Sequence, residues 1–151
     1  MKQSPISLIK RTKKDLRTQF AALCYRIRKG EAEVLLITSR SSGRWIIPKG
    51  WPMDGKTPGQ SAKIEAWEEA GAKGKLHNVS LGLFSYIKSD PNGSDLPCVA
   101  MVYPLEVKSL ADDFPEAGSR KRRWMRLDKA AAKVAEPELA RIISRFDPNA
   151  L

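Results

Sequence analysis

The sequence predicts a single domain with an α/β or α+β fold, in which helices pack against a mixed sheet. Segments rich in β-branched and aromatic residues alternate with helical segments in the order strands, helix, strands, helix. The length of 151 residues suits one core and is too short for two domains of ordinary size. Hydrophobic residues at 42% and charged residues at 29% are typical of a globular protein and exclude a wholly disordered chain.

Six segments are predicted to be strands from their apolar and β-branched composition. The first two flank a turn at Lys29-Gly30. The fourth and fifth flank Asp90-Pro91-Asn92-Gly93, where proline sets one φ angle and glycine accepts a positive one. The six strands are Phe20–Ile27, Glu33–Thr38, Arg44–Ile47, Val79–Ile87, Val99–Val107 and Arg123–Leu127.

Two segments are predicted to be helical, and the first has clear ends. Thr57 is expected to be its N-cap, with Pro58 at the first helical position and Gln60 completing a capping box. Gly71 stands where a left-handed residue commonly ends a helix. Pro137 is expected to divide the second segment in two. The helical segments are Pro58–Ala70 and Leu127–Phe146.

Charge and composition restrict the classes of partner. Lys and Arg number 27 against 17 Asp and Glu, so the formal net charge of +10 favours a polyanionic partner. We expect no membrane segment, because no apolar run approaches the ~20 residues that a span needs, and no secretory signal. Cys24 and Cys98 form no CxxC pair, so a reducing cytoplasm is the expected location. Residues 1–18 are expected to be a basic arm, and residues 19–151 the domain.

Three carboxylates share one face of the first helix. Glu65, Glu68 and Glu69 fall within an arc of about 100°, and the like-charge pairs are each unfavourable by about 0.2–0.5 kcal/mol. A solvated acidic face is one interpretation. The other is a divalent cation shared by Glu65 and Glu69, with Glu68 at the edge of the face to handle a water. Backbone groups around Lys49-Gly50 are expected to lie opposite this face. The helix also carries a stripe of small residues that would allow close approach to a sheet: Ala62, Ala66 and Ala70.

Residues 48–72 read PKGWPMDGKTPGQSAKIEAWEEAGA and resemble the Nudix hydrolase signature, G-x5-E-x7-R-E-U-x-E-E-x-G-U, where U is apolar. Two positions depart from the signature, because Lys56 stands in place of the first Glu and Ile64 in place of the Arg. In the family that Arg helps to orient the carboxylates. The matching positions are Gly50, Glu65, Ala66, Glu68, Glu69, Gly71 and Ala72.

Further segments resemble the branch of the family that acts on diphosphoinositol polyphosphates and diadenosine polyphosphates. That branch usually has Gly-Gly-Gly where this chain has Lys49-Gly50-Trp51, so the substrate preference is expected to differ. The similar segments are FAALCY (20–25), VLLITS (34–39), RWIIP (44–48), EEAGAKG (68–74) and RKRRW (120–124).

The resemblance implies an α/β/α sandwich around a mixed sheet and the hydrolysis of a phosphoanhydride in a polyphosphorylated small molecule. It implies that Glu65 and Glu69 ligate Mg²⁺ or Mn²⁺, with the Lys49 carbonyl as a further ligand. Glu68 is the preferred base for activating water, and Glu65 and Glu69 remain alternatives for that role.

Basic residues beside strand ends are candidates for binding the substrate phosphates. His77 is expected on the surface, and Tyr86 is expected to pack in the core or lie exposed rather than contact a base or sugar. The substrate-binding candidates are Arg17, Arg40, Arg44, Lys121 and Arg122, together with Lys49 and Gly50 of the loop.

Two other functions remain open from the sequence. Lys56, Ile64 and the positive charge favour a non-catalytic Nudix-fold domain that binds a nucleotide or RNA. A basic nucleic-acid-binding domain of another family ranks lower, because aromatic residues are not interleaved with the basic ones.

Overall fold

A computed structural model describes residue 3, residues 17–88, residue 93 and residues 95–151. Among these residues, eight strands form one sheet and three α-helices pack on it. A short 3-10 turn follows at Pro148–Ala150. The strands are β1 Thr18–Arg28, β2 Glu31–Thr38, β3 Trp45–Ile46, β4 Lys49–Gly50, β5 Ala72–Leu76, β6 Gly82–Lys88, β7 Leu96–Leu110 and β8 Arg122–Arg126. The helices are α1 Pro58–Ala70, α2 Leu127–Lys133 and α3 Pro137–Ser144.

The sheet is mixed, as the sequence predicts. Its main path runs β3-β2-β1-β7-β5, while β4 pairs with β1, β6 with β7 and β8 with β2. The central strands β1 and β7 are parallel, and the other pairings between the strands given above are antiparallel. In the parallel pair Thr18 lies opposite Val99 and Tyr25 opposite Glu106.

Both faces of the sheet are covered by helices. Side chains of β1 alternate between two cores, because successive residues of a strand point to opposite faces. Ala21, Leu23 and Tyr25 join the core beneath α2 and α3. Phe20, Ala22 and Cys24 join the core beneath α1. The architecture is therefore the predicted α/β/α sandwich, and burial on both faces explains the continuous apolar run of β1.

The ends of α1 are those that the sequence predicts. The Thr57 hydroxyl accepts a hydrogen bond from the Gln60 backbone N–H at 3.1 Å, and the Gln60 side chain accepts one from the Thr57 N–H at 2.9 Å. Gly71 ends the helix in the left-handed conformation with φ 66°. The predicted division of the C-terminal helical segment is also confirmed, with α3 beginning at Pro137.

Two strands of the structure are not among those predicted from the sequence. β4 is only two residues long, and β5 has the sequence AKGKL, which lacks β-branched and aromatic residues. β6 begins at Gly82, three residues after the predicted Val79. Three residues of the predicted turn, Asp90, Pro91 and Asn92, lie outside the described residues. Of the predicted basic arm, residues 1–2 and 4–16 lie outside them too. No helix in the described ranges is long and apolar enough to span a membrane.

Gly74 allows β5 and β7 to approach closely at a shift in their register between Lys73 and Gly74. A Cβ atom on Gly74 would lie 1.8 Å from the carbonyl oxygen of Glu106. Because the obstacle is backbone, we expect Gly74→Ala to lower the free energy of unfolding by about 1–3 kcal/mol. Urea denaturation measures the loss. The exposed Lys75→Ala on the same strand should change it by less than about 0.5 kcal/mol, and equal effects would contradict this account.

Candidate active site

The acidic face of α1 is positioned by the packing of its opposite face. Ala62, Ala66 and Ala70 are fully buried against the sheet, which turns the three glutamates away from this core. Glu69 is nevertheless only 7% exposed. Glu65 and Glu68 are half-buried. The helix therefore holds its carboxylates at the boundary between the core and solvent, and not on a freely solvated surface.

Gly50 brings backbone directly against Glu65. Strand β4 pairs with β1 so that Gly50 lies opposite Phe20 and Lys49 opposite Ala21. A Cβ atom on Gly50 would lie 2.3 Å from both Cδ and Oε1 of Glu65. The Glu65 carboxyl group thus occupies the space that any side chain at position 50 would fill. This is the close approach of loop to glutamate face that the sequence indicates.

Glu65 and Glu69 form a pair of interacting acids. Burial, the hydrogen bond to Glu69 and the negative charges of Glu69 and Glu68 together raise the pKa of Glu65 to about 9. Burial also raises the pKa of Glu69, although the hydrogen bond from Glu65 and the Arg120 guanidinium oppose that shift. Protonation of one of the two acids would therefore relieve the repulsion between them.

Arg120 and Glu116 complete the cluster, and neither is among the site residues predicted from the sequence. Both belong to the segment between β7 and β8, which we call the 111–121 loop. Arg120 Nη2 lies 3.6 Å from Glu69 Oε1 and 3.0 Å from Glu116 Oε1. Arg120 Nη1 also donates to the Thr38 carbonyl at 3.0 Å. The run Arg120–Arg123 was visible in the sequence, but only the fold shows which of its members turns inward.

Lys49 adds a second cation beside Glu69. Its Nζ lies 4.8 Å from the centre of the Tyr86 ring. Burial lowers the pKa of Lys49, while the charges of Glu69 and Glu136 oppose that shift. Tyr86 is half-buried, and its hydroxyl donates to the side-chain oxygen of Gln19. Tyr86 therefore packs beneath Lys49, in agreement with the packing role expected for it.

One of the predicted phosphate-binding residues contacts this cluster. Arg40 Nε is 3.7 Å from Glu116 Oε1, and its side chain is 64% exposed. Lys121 directly follows Arg120 in the chain; it is exposed, and its backbone N–H donates to the Thr38 hydroxyl at 2.9 Å. Arg40 therefore carries solvent-accessible charge beside Glu116.

The other three candidates are placed differently. Arg122 Nη1 donates to the Ala70 carbonyl at 2.8 Å, so this side chain caps the end of α1. Arg44 Nε contacts the Ser42 hydroxyl at 3.1 Å in the turn between β2 and β3. Arg17 is exposed where it precedes β1. The structure thus places Arg40 beside Glu116 and gives Arg122 a helix-capping contact.

The expectation that His77 is a surface residue is wrong. His77 is half-buried, and its Nε2 lies 3.0 Å from the Tyr25 hydroxyl. Its backbone N–H donates to the Pro104 carbonyl at 2.9 Å. The unrecognised strand β5 explains the error, because it carries His77 against β7.

The donor set suits a hard divalent cation. Within the described ranges, no three His, Cys, Asp or Glu side chains form a ready-made metal centre. The site offers the two carboxyl groups of Glu65 and Glu69, and Gly50 brings backbone against Glu65. Mg²⁺ is commonly held by one or two carboxylates, with waters and substrate phosphates as the other ligands. The residues present fit that mode of binding.

A divalent cation ligated by Glu65 at pH 7 would release about one proton per ion, because metal ligands must be ionised. The pKa of Glu65 lies at about 9, above its ordinary value of 4.5, so the metal-free acid is protonated at pH 7. Affinity for Mg²⁺ should therefore rise with pH until about pH 9. Calorimetric titration in buffers of different ionisation enthalpy counts the protons. Glu65→Gln is the control that should release none, and absence of release in the unchanged protein would contradict the prediction.

The chain is similar to known proteins over most of its length. The NUDIX domain family model matches residues 17–146. Human diphosphoinositol polyphosphate phosphohydrolase 3-alpha is 37% identical over 112 residues, which are 73% of this chain and 64% of that protein. The chain thus spans less than two thirds of the length of this relative.

Solved structures share the fold. The C. elegans Ap4A hydrolase has a TM-score of 0.61 at 20% identity, covering 90% of this chain and 99% of its own. The NUDIX domain of Shewanella oneidensis NrtR, solved with ADP ribose, has a TM-score of 0.62 at 17% identity, covering 91% of this chain and 94% of its own.

Proposed function

The chain belongs to the Nudix family, and on this premise we propose that it is a metal-dependent hydrolase of phosphoanhydride bonds in a polyphosphorylated small molecule. The observation that carries the proposal is the Glu65–Glu69 pair held against Gly50. The similarity to a diphosphoinositol polyphosphate phosphohydrolase and the shared fold of an Ap4A hydrolase support two substrate classes, the diphosphoinositol polyphosphates and the diadenosine polyphosphates.

Glu65 and Glu69 are the proposed ligands of Mg²⁺ or Mn²⁺, with the Lys49 carbonyl as a further ligand. The ion would neutralise negative charge on the phosphate oxygens. Glu68 is the proposed base: it accepts a proton from the water whose oxygen bonds to phosphorus, while the bond from phosphorus to the bridging oxygen breaks. The released phosphate group carries the electron pair of that bond.

Lys49, Arg40 and Lys121 are proposed to bind the outer phosphates. Lys49 lies beside Glu69, Arg40 presents exposed charge beside Glu116, and Lys121 is an exposed neighbour of Arg120 in the chain. Cations on the side of the cluster that faces solvent attract an anionic substrate toward carboxylates that would otherwise repel it. A densely phosphorylated molecule can contact several of these cations at once, which supports the choice of substrate class.

A non-catalytic nucleotide-binding domain is the second candidate. It is favoured by Lys56 and Ile64, which replace two signature residues, and by the shared fold of the NrtR domain solved with ADP ribose. Such a domain would bind its nucleotide without cleaving it.

The deciding experiment incubates the purified protein with diadenosine and diphosphoinositol polyphosphates and with ADP-ribose, each with Mg²⁺, Mn²⁺ or EDTA. Release of phosphate-containing products is followed by anion-exchange chromatography, and binding by calorimetry. Metal-dependent turnover of a polyphosphate supports the hydrolase. Binding of ADP-ribose without turnover across the panel would favour the second candidate, and neither binding nor turnover would overturn both.

A further inference from the structure

Arg120 connects three separate elements of the fold. Its guanidinium group contacts Glu69 on α1, Glu116 in the 111–121 loop and the carbonyl of Thr38 at the end of β2. The side chain is 9% exposed. A buried guanidinium is stabilised when its fixed fork of N–H groups meets several acceptors at once. Arg120 has such a set, and a carboxylate of the proposed metal site is one member.

The acidic face of α1 lacks the cation that the Nudix signature places on the same helix, since Ile64 stands at that position. Arg120 approaches one of these carboxylates, that of Glu69, from outside the signature, 51 residues farther along the chain. Its Nη2 is 3.6 Å from Glu69 Oε1, and its Nε is 3.0 Å from Glu116 Oε1. A cation is therefore present at the cluster although the helix does not supply it.

Backbone hydrogen bonds that do not involve the Arg120 side chain also hold the 111–121 loop. Ala111 N–H donates to the Gly71 carbonyl at 2.9 Å, and Glu116 N–H donates to the Glu68 carbonyl at 3.0 Å. Lys121 is joined to Thr38 by two further hydrogen bonds that involve its own backbone. Because these backbone contacts anchor both ends of the loop, the side chain of Arg120 is available for a separate role.

We propose that Arg120 is a positioning residue that fixes the carboxylate of Glu69 for metal binding, in place of the arginine missing at Ile64. This inference rests on the proposed function. Removing a group that hydrogen-bonds to a metal ligand and orients it commonly lowers metal affinity or activity by about 10–100-fold. Arg120 itself contacts neither the substrate nor the reacting atoms in this proposal.

The test compares Arg120→Gln and Arg120→Lys with the unchanged protein. Electron paramagnetic resonance of free Mn²⁺ gives the dissociation constant without substrate, and steady-state kinetics separate kcat from KM. For Arg120→Gln we expect Mn²⁺ binding weakened by about 10-fold or more and kcat lowered by about 10–100-fold, with KM changed by less than threefold. Arg120→Lys should recover only part of the loss, because one ammonium cannot reproduce the fork.

Arg126→Gln is the matched control. Arg126 lies on β8 near Arg120 in sequence, but it pairs with Glu31 at the surface, at 3.1 Å. This variant should leave both measurements unchanged.

The inference is overturned if Arg120→Gln keeps its Mn²⁺ affinity and its kcat within twofold of the unchanged protein. It is also overturned if Arg120→Lys recovers both quantities fully. If Arg120→Gln fails to fold by circular dichroism, Arg120→Lys decides by the same two measurements. If the unchanged protein hydrolyses nothing, the proposed function fails while Mn²⁺ affinity still tests Arg120.

Discussion

Glu68→Gln is expected to lower kcat by about 10²–10⁴-fold, the range typical of losing a general base. The substitution keeps the shape of the side chain but removes its capacity to accept a proton. Glu68 is half-buried at the edge of the acidic face, and its backbone carbonyl anchors Glu116. Because only the side chain changes, the loop contact should remain and Mn²⁺ affinity should stay within about twofold.

Glu69→Gln provides the comparison that separates a base from a ligand. Glu69 is buried and contacts both Glu65 and Arg120, so its loss should weaken Mn²⁺ binding as well as turnover. Glu31→Gln is the control, since Glu31 is exposed and pairs only with surface Arg126 among the contacts described. Retained turnover in Glu68→Gln would transfer the role of base to Glu65 or Glu69.

Gly50→Ala is expected to reduce turnover by about 10²-fold, since a displacement of about 1 Å in a catalytic group can have that effect. The new methyl group would lie 2.3 Å from the Glu65 carboxyl group. That carboxyl group is the free end of a flexible side chain, so it can move without any change in the backbone. The free energy of unfolding should therefore change by less than about 1 kcal/mol, while Mn²⁺ affinity falls with turnover.

Gly30→Ala gives the opposite pattern and serves as the control. Gly30 has φ 80° in the turn between β1 and β2, and a Cβ atom there would meet nothing within 4 Å. Strain at that left-handed position should lower stability by about 1–2 kcal/mol and leave turnover and Mn²⁺ affinity unchanged. Thermal unfolding and the kinetic assay together distinguish the two variants. Unchanged Mn²⁺ binding in Gly50→Ala would contradict a role for Glu65 as a ligand.

Local signals in the sequence were sufficient for α1 and for the long strands. Thr57, Gln60 and Gly71 satisfy backbone groups within a few residues, so their roles can be recognised without the rest of the fold. The acidic face follows from helical periodicity alone. Strand β5 gives no such signal, because AKGKL becomes a strand only through pairing with β7.

The contacts that complete the cluster join residues far apart in the chain, so they could not be predicted from local sequence patterns. Which member of the run Arg120–Arg123 reaches Glu69 depends on how β8 pairs with β2 and on the course of the 111–121 loop. The selection of Arg122 illustrates the difficulty, because that residue binds the Ala70 carbonyl. The partner of His77 was hidden for the same reason, since Tyr25 lies 52 residues away.

The parallel pairing of β1 with β7 has a consequence for the order in which the protein folds. Thr18 pairs with Val99, so the centre of the sheet forms only after a large loop of chain has closed. Contacts of high sequence separation form slowly, because the entropy of loop closure is lost before the contacts are gained. Glu69 meets Arg120 across 51 residues of chain. A nascent or partly folded chain would thus carry the acidic helix without its partners, and the proposed ion-binding site would be completed late, together with the closed sheet.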